Sequence, residues 1–361
     1  TEIYTLSLHD ALPIYDFADV LDCLDLAMTS DDMNASLAQM TPRIHGLATV
    51  LALDDGQAGL DSVRRRMERF APTEDRARDN GRSTTVWMEA PGRHGRYDAD
   101  GNSFGARSHS FGMLLGLERT TVHGLTVGMT GGITKSRYQS DSGGDEGENA
   151  SLQGYLYGFW RDPQTMDGWR WGGAIGTGVI DLEGDRHLSF AGRQSHSDHD
   201  AHLLAGTLLG GYDWRFGNWI LGPTLGLNWV ALDEEGFAES GAGSADLIMR
   251  SRESDSLQGV VGGRIAHPFS WQELVLEPEV RLQWVHEFSR QTDDLESRLA
   301  GGGDFFVTPG RDLAANGLIM GAALRTRFSE TMFTHLGYAC TLRDQGGETD
   351  HALSLQLGWR F

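Results

Sequence analysis

The chain has 361 residues, with 30 Lys and Arg against 51 Asp and Glu, a formal charge of −21, and 48 glycines. An acidic chain repels a phosphate backbone, which argues against nucleic acid as a partner. Cys23 and Cys340 are too few and too distant for a disulfide scaffold or a thiol metal motif, and no apolar run is long enough for a membrane-spanning helix.

Taken in chain order, residues 1–14 (TEIYTLSLHDALPI) look like the in-frame translation of a sequencing-library adapter. They are expected to be a non-native leader without fold information. Residues 15–78 are expected to be helical. FADVLDCLDLAM and RIHGLATVLAL carry apolar residues at spacings of three and four. Ser30 with Asp31 and Asp32, and Thr41 before Pro42, read as helix starts. The helical texture ends at Ala71–Pro72, and a polar linker runs to Thr84.

From Thr84 onward period-two alternation takes over. Leu274, Leu276, Pro278, Val280, Leu282 and Trp284 oppose Glu277, Glu279, Arg281 and Gln283. At the C-terminus Leu353, Leu355, Leu357, Trp359 and Phe361 oppose Ser354, Gln356, Gly358 and Arg360. Twelve such segments are expected, near 84–92, 109–119, 122–136, 149–162, 168–182, 200–214, 218–232, 255–268, 272–288, 314–328, 331–343 and 350–361. Most are long enough to cross a bilayer when tilted. Short connections alternate with longer ones, the latter near 93–108, 137–148, 183–199, 233–254, 289–313 and 344–349. Aromatic residues such as Trp160, Trp169, Trp171, Trp214, Trp219 and Trp271 gather beside the short turns.

Alternation alone also suits a soluble sandwich. Long strands, asymmetric connections and a terminal aromatic residue inside a strand favour an all-β, 12-stranded antiparallel transmembrane barrel. No sheet edge can stay unpaired in lipid, so the last strand must close on the first.

Residues 84–361 resemble the translocator domain of autotransporters, the type V secretion proteins. The resemblance rests on the terminal LSLQLGWRF, which is similar to an outer-membrane insertion signature. It rests also on the Pro278–Trp284 strand running into His286–Glu287–Phe288, on the Pro223 strand followed by an acidic loop with Phe237 and Glu239, and on the opening VWMEAPGRHGRYD. Residues 41–70 resemble the family's helical junction. The resemblance implies residence in the outer membrane of Gram-negative bacteria and export of an N-terminal passenger by a barrel in 79–361, with no enzymatic activity of its own. The helical segment 15–78 would thread or plug the lumen. Outer-membrane lipid, lipopolysaccharide, the barrel-assembly machinery and the passenger are the implied partners, and the barrel is expected to be a monomer without cofactor. A porin-like transport barrel, or a soluble β-rich binding domain with a helical lid, are the alternatives. No asparagine-pair cleavage motif stands in the linker, Asp79–Asn80 being a poor substitute, so self-cleavage is not expected.

Arg64, Arg65, Arg66 and Arg69 make the pore helix cationic. Glu277 and Glu279 on inward positions are expected to hold it, so that exchanging both for Lys would loosen the plug and raise conductance. Arg264, Arg281, Arg325 and Arg327 also point inward in this register, giving a lumen of mixed charge. His196, His199 and His202, with Asp198 and Asp200, form the densest set of metal-ligand types. They fall in an expected surface loop running into a strand, where spacing by three does not share a face, so no metal site is assigned. GGAIGTG at 172–178 lacks the lysine of a phosphate loop and reads as strand. No catalytic motif stands in a supporting context.

Overall fold

The computed structural model describes residues 8–26, 29–68, 83–99, 104–141, 144–161, 167–289, 292–344 and 348–361, with side chains from Asp16 onward. Twelve long antiparallel strands close into a barrel. They are β1 (Ser83–Tyr97), β2 (Ala106–Thr120), β3 (Leu125–Ser140), β4 (Glu146–Arg161), β5 (Gly168–Leu188), β6 (Arg193–Phe216) and β7 (Trp219–Glu234), followed by β10 (Arg252–Ala266), β12 (Leu274–Glu287), β15 (Asn316–Arg327), β16 (Met332–Arg343) and β17 (Thr349–Arg360). Each pairs with its neighbour, and β17 closes on β1 from Thr85 opposite Arg360 to Arg96 opposite Thr349. Phe361 continues the seam, its amide donating to the Thr84 carbonyl at 2.8 Å. Closure leaves no edge for lipid to strand unpaired.

An even number of strands returns the chain to the end where it entered. That end carries the connections 121–124, 162–167, 217–218, 267–273 and 328–331, and is here the turn end. At the opposite, loop end, three connections are much shorter than alternation suggested: 98–105, 141–145 and 189–192. Strand pairing fills most of the expected loops. The largest difference is the expected loop 183–199. Its residues pair as the upper parts of β5 and β6, joined by a turn at Ser189–Gly192 with Gly192 at φ +63°. Only 235–251 and 288–315 remain long, and they fold on each other. There β8 (Phe237–Ala238), β9 (Leu247–Met249), β13 (Leu295–Leu299) and β14 (Gly302–Thr308) form a separate four-stranded sheet, while β11 (Phe269–Trp271) pairs locally with β12.

Three helices precede the barrel: α1 (Leu8–Asp25), α2 (Ser30–Gln39) and α3 (Arg43–Glu68). The N-cap of α2 is Thr29, whose hydroxyl accepts the Asp32 amide, one residue before the expected start. Thr41 does not open α3. Its hydroxyl donates to the Ala38 carbonyl at 2.6 Å, satisfying an orphan acceptor at the end of α2. Pro42, with no amide to lose, leads into α3 and accepts from the His45 amide with its carbonyl.

Outside the barrel, Leu208, Leu225, Val280, Leu282 and Leu353 stand exposed in a broad apolar belt. The aromatic residues gather at its turn-end border, with Trp169 stacked on Trp171 and Tyr212 against both Trp169 and Trp214. This is the girdle pattern of a lipid-embedded barrel.

Candidate functional site: the occupied lumen

Helix α3 lies inside the barrel. At about 1.5 Å per residue, its 26 residues reach roughly 39 Å, enough to run from the loop end to the turn end. It does not sit on the axis. Along the face of Gly56, Leu60, Val63 and Met67 it packs against the wall of β4–β7, where inward Tyr155, Tyr157, Ile180, Leu182, Leu203, Leu209 and Val230 share its buried cluster, and Leu47, Val50 and Leu51 join that cluster nearer the loop end. The inward face is therefore not uniformly polar: on β4–β7 it carries the apolar seat of the helix. Gly56 and Gly59 allow the approach, since a Cβ at Gly56 would lie 2.7 Å from Leu203 and one at Gly59 would lie 2.2 Å from the Tyr155 hydroxyl.

The opposite face of α3 looks across a cavity of about 130 Å³ toward β12, β15, β16, β17 and β1. Asp54, Asp61 and Arg65 line it from the helix, and Arg93, Arg281 and Arg343 from the wall. One side of the lumen is thus a dry helix seat and the other a charged gap.

At the turn end Arg64, Arg65 and Arg66 lie in the lumen, but their partners are not those expected. Arg66 makes a two-pronged pair with Glu118 of β2, its Nε donating to Oε2 at 2.8 Å, and its Nη1 donates to Gln356 Oε1 at 3.3 Å. The Tyr157 hydroxyl donates to the same Glu118 oxygen at 2.9 Å and accepts from Trp87 Nε1 at 3.0 Å. Arg65 Nη2 donates to Glu89 Oε1 at 2.9 Å, and Gln356 Nε2 donates to Glu89 Oε2 at 2.9 Å. Gln356 therefore ties both pairs to the closing strand. Arg64 bonds within its own helix to Asp61 and Glu68, and to Gln283 at 3.4 Å. Arg69 lies outside the described residues.

Glu277, Glu279, Arg281 and Gln283 all sit on the inward side of β12, while Pro278, Val280, Leu282 and Trp284 face out. Glu279, however, binds the wall arginines Arg264 and Arg281, at 3.1 and 2.9 Å. Helix and β12 meet with the opposite sign: Glu68 of α3 pairs with Arg281 at 2.6 Å. The carboxylates that hold the helix cations are Glu89 and Glu118. The signal for them was present, because Glu89 shares the inward parity of the buried Trp87 and Glu118 the parity opposite Leu115 and Leu117.

At the loop end a second buried cluster holds the mouth. Glu239, from the loop after β7, accepts from His45 Nε2 of α3 at 2.7 Å, from Ser195 at 3.0 Å, from the Leu247 amide at 2.8 Å and from Arg186. Arg186 also donates to the Gln39 and Ala245 carbonyls at 2.6 and 2.8 Å. Arg252 bonds the His45 carbonyl at 2.9 Å and Glu234 at 2.7 Å. Burial alone would push the Glu239 carboxyl up, but the His45 and Arg186 bonds outweigh it and hold it at about 2. Nearby, Asp16 of α1 pairs with Arg193 at 2.7 Å and accepts the Ser244 amide, and the Arg193 bond holds its carboxyl well below the usual range. These contacts join α1, α2, α3 and the 235–251 loop into one cap.

The histidine-rich stretch lies entirely within β6, not partly in a loop. His196 and His202 face outward, His196 bonding Asp185 at 3.0 Å, while His199 points inward and stacks on Phe237 at 3.8 Å. Among the described residues no three ligating side chains converge as a metal site. On β17, Leu353, Leu355, Leu357, Trp359 and Phe361 line the outer face, and Ser354 and Gln356 are buried within.

A family model described as the autotransporter β-domain matches residues 86–339. Outer membrane protein B of Rickettsia prowazekii is 24% identical over 263 residues, covering 70% of this chain and 16% of its own length. An extracellular serine protease of Serratia marcescens is 22% identical over 344 residues, 91% of this chain and 31% of its own. The chain thus spans less than a third of the curated relatives it matches. Among solved structures, the translocator domain of the autotransporter NalP from Neisseria meningitidis matches at a TM-score of 0.63 and 18% identity, covering 87% of this chain and 99% of that one. The β-domain of the Bordetella autotransporter BrkA matches at 0.55 and 15%, covering 77% of this chain and 98% of that one. At these identities the likeness is one of fold.

Proposed function

The chain belongs to the autotransporter β-domain family, and we propose that its own helix α3 is the linker of an exported passenger, seated in the pore as a plug. The barrel is an outer-membrane translocator domain, anchored there by its apolar belt. On this reading residues 15–78 are passenger remnant and pore linker, and 79–361 are the barrel. The turn end faces the periplasm and the loop end the cell surface. The passenger joins through the helical segment and is carried outward, while the barrel performs no chemistry of its own. The barrel-assembly machinery inserts it as a monomer, guided by the aromatic-ended β17, and lipopolysaccharide surrounds its outer rim.

The observation that supports this most is the path of α3. It enters under the surface cap at His45 and reaches the turn end at Arg64–Glu68, the end where β1 begins. Its apolar face is cut to the wall of β4–β7, which favours a built-in occupant over the open lumen of a porin-like channel. Planar-bilayer conductance of the full chain tests the reading. The wild type is expected to conduct weakly, and Glu89→Lys with Glu118→Lys, which repel Arg65 and Arg66, to conduct several-fold more. A wild type that conducts as an open pore, unchanged by the double substitution, would refute it.

A further inference from the structure

Past the apolar belt, toward the loop end, the charges on the outer face of the barrel are sorted by sign. On β5, β6, β7 and β10 the first Asp, Glu, Lys or Arg residues beyond the outward apolar set are all acidic: Asp181 and Glu183, Asp198 and Asp200, Asp233, and Asp255 and Glu253. On β1, β2 and β3 they are all basic: Arg96, Arg107, and Lys135 and Arg137. Each of these four side chains is more than half exposed. The ladder sets them side by side. Arg96 stands directly opposite Arg107, while Arg137 stands opposite His109 and Lys135 opposite Phe111. With neighbouring strands about 4.8 Å apart, the three strands gather these cations into a patch about 10 Å wide.

Two features fit this patch to an anionic lipid. The first is its charge. Asp98 pairs with Arg96 at 3.5 Å and Asp141 with Arg107 at 3.2 Å, but Glu148 alone serves both Lys135 and Arg137. Exposed pairs of this kind are weak and leave their cations open to a further anion. Like charges directly opposite across a ladder repel, and an anion between Arg96 and Arg107 relieves that repulsion. The second feature is continuity with the lipid-facing belt. Phe111, Met113 and Leu115 on β2, and Ile133 and Met129 on β3, are exposed directly beneath the cations. A molecule seated here meets an apolar wall with one end and guanidinium groups with the other. Acyl chains carrying a phosphorylated head meet both needs, since the planar arginine fork offers phosphate two parallel N–H donors. The acidic strands β5–β10 share the belt but repel such a head.

We propose that Arg96, Arg107, Lys135 and Arg137 form a site for the phosphorylated headgroup of an outer-leaflet glycolipid of the lipopolysaccharide type, with its acyl chains against Phe111 and Ile133. The cations contact the phosphates directly, without a bridging divalent ion. The site seats the lipid on one sector of the barrel, beside the seam where β1 meets β17. Assigning the lipid to the outer leaflet rests on the reading that the loop end faces the cell surface.

The test uses the full chain folded in zwitterionic detergent micelles, titrated with fluorescently labelled lipopolysaccharide in the presence of EDTA. The wild type is expected to bind saturably, and to bind dephosphorylated lipopolysaccharide far more weakly. Arg107→Gln with Arg137→Gln removes charge-assisted hydrogen bonds and is expected to weaken binding about tenfold or more. Arg250→Gln with Arg298→Gln removes the same charge from the loop-end sheet and is expected to bind as wild type. All four side chains lie at the surface, so heat-modifiable migration reports whether each variant folds. Equal binding of the dephosphorylated lipid, unchanged binding in the Arg107/Arg137 variant, or an equal loss in the Arg250/Arg298 variant overturns the site. Binding seen only when Mg²⁺ replaces EDTA overturns it too, because bridging ions would then hold the lipid. Displacement by inorganic phosphate at matched phosphate concentration reduces it to a plain anion site and overturns the lipid assignment. Orientation is read separately on intact cells, from the extra labelling of Ser189→Cys over wild type by a membrane-impermeant thiol reagent. Labelling there without lipid binding sinks the site and leaves the orientation standing, whereas lipid binding without labelling overturns the outer-leaflet assignment together with the orientation.

Discussion

Strands β5 and β6 pass through two environments, and the polarity of their outer face reverses between them. In the belt, Ile175, Val179, Leu204 and Leu208 face outward, while the inward set mixes Gly176, Gly178 and Thr207 with Leu203 and Leu209. Toward the loop end, in the crown above the belt, the outward residues are Asp181, Glu183, Asp198 and Asp200, and the inward set mixes Ile180, Leu182, Leu188 and Ala201 with Arg186, Ser195 and His199. The pleat is the same throughout. What changes is the medium outside, from hydrocarbon to water, and what stands inside, where α3 and the cap need a dry seat. Alternation reveals that a strand has two faces. The surroundings decide which face is apolar.

Breaking the crown at the buried Glu239 carboxylate carries the largest expected effect. Glu239→Ala leaves Arg186 buried without its carboxylate, a loss of about 3–5 kcal/mol, and is expected to free 235–251, read as faster amide exchange there with the barrel intact. The same latch has a defined pH window. Because the Glu239 carboxyl is depressed to about 2, its stabilisation is complete above the unfolded value of about 4.3 and fades as pH falls toward 2. Protection of the loop amides, corrected for the intrinsic pH dependence of exchange, is expected to stay flat from pH 7 to about 4.5 and to fall below it.

Next come substitutions that exploit the reversal itself. Leu182→Ala in the crown empties a packed interior site and is expected to cost about 2–5 kcal/mol in denaturant titration. Leu208→Arg on the lipid face is expected to cost about 2–4 kcal/mol, whereas Glu183→Arg, facing outward on the neighbouring strand in water, stays within about 0.5 kcal/mol. Equal costs for the two arginines would erase the distinction between belt and crown. Gly56→Ala is expected to be milder, about 1–3 kcal/mol, by pushing α3 from Leu203 and Val230. It is expected to raise single-channel conductance as the helix shifts toward the cavity.

The reversal also explains what could be read in advance. Twelve strands, closure through Phe361 and the outward set Leu353–Phe361 follow from period-two alternation against lipid, a local property. Where β5 and β6 leave the belt, the outward apolar set gives way to Asp181, Glu183, Asp198 and Asp200, and paired strand reads as loop. The arginines of α3 were legible because they are dense. Their partners Glu89 and Glu118 are single carboxylates on separate strands, and an equally acidic pair on β12 was the more conspicuous candidate.

Alternation, together with long strands, unequal connections and a terminal aromatic residue, determined the barrel, and local composition determined the girdle beside its short turns and the cationic end of its helix, because each depends on residues within a few positions of one another. Only the tertiary structure decided that α3 leans on β4–β7, that Glu239 reaches His45 and Arg186, and that Arg65 and Arg66 find Glu89 and Glu118. Those meetings depend on the register between distant strands, and a shift of a single residue in any one of them would turn the side chains to the opposite face.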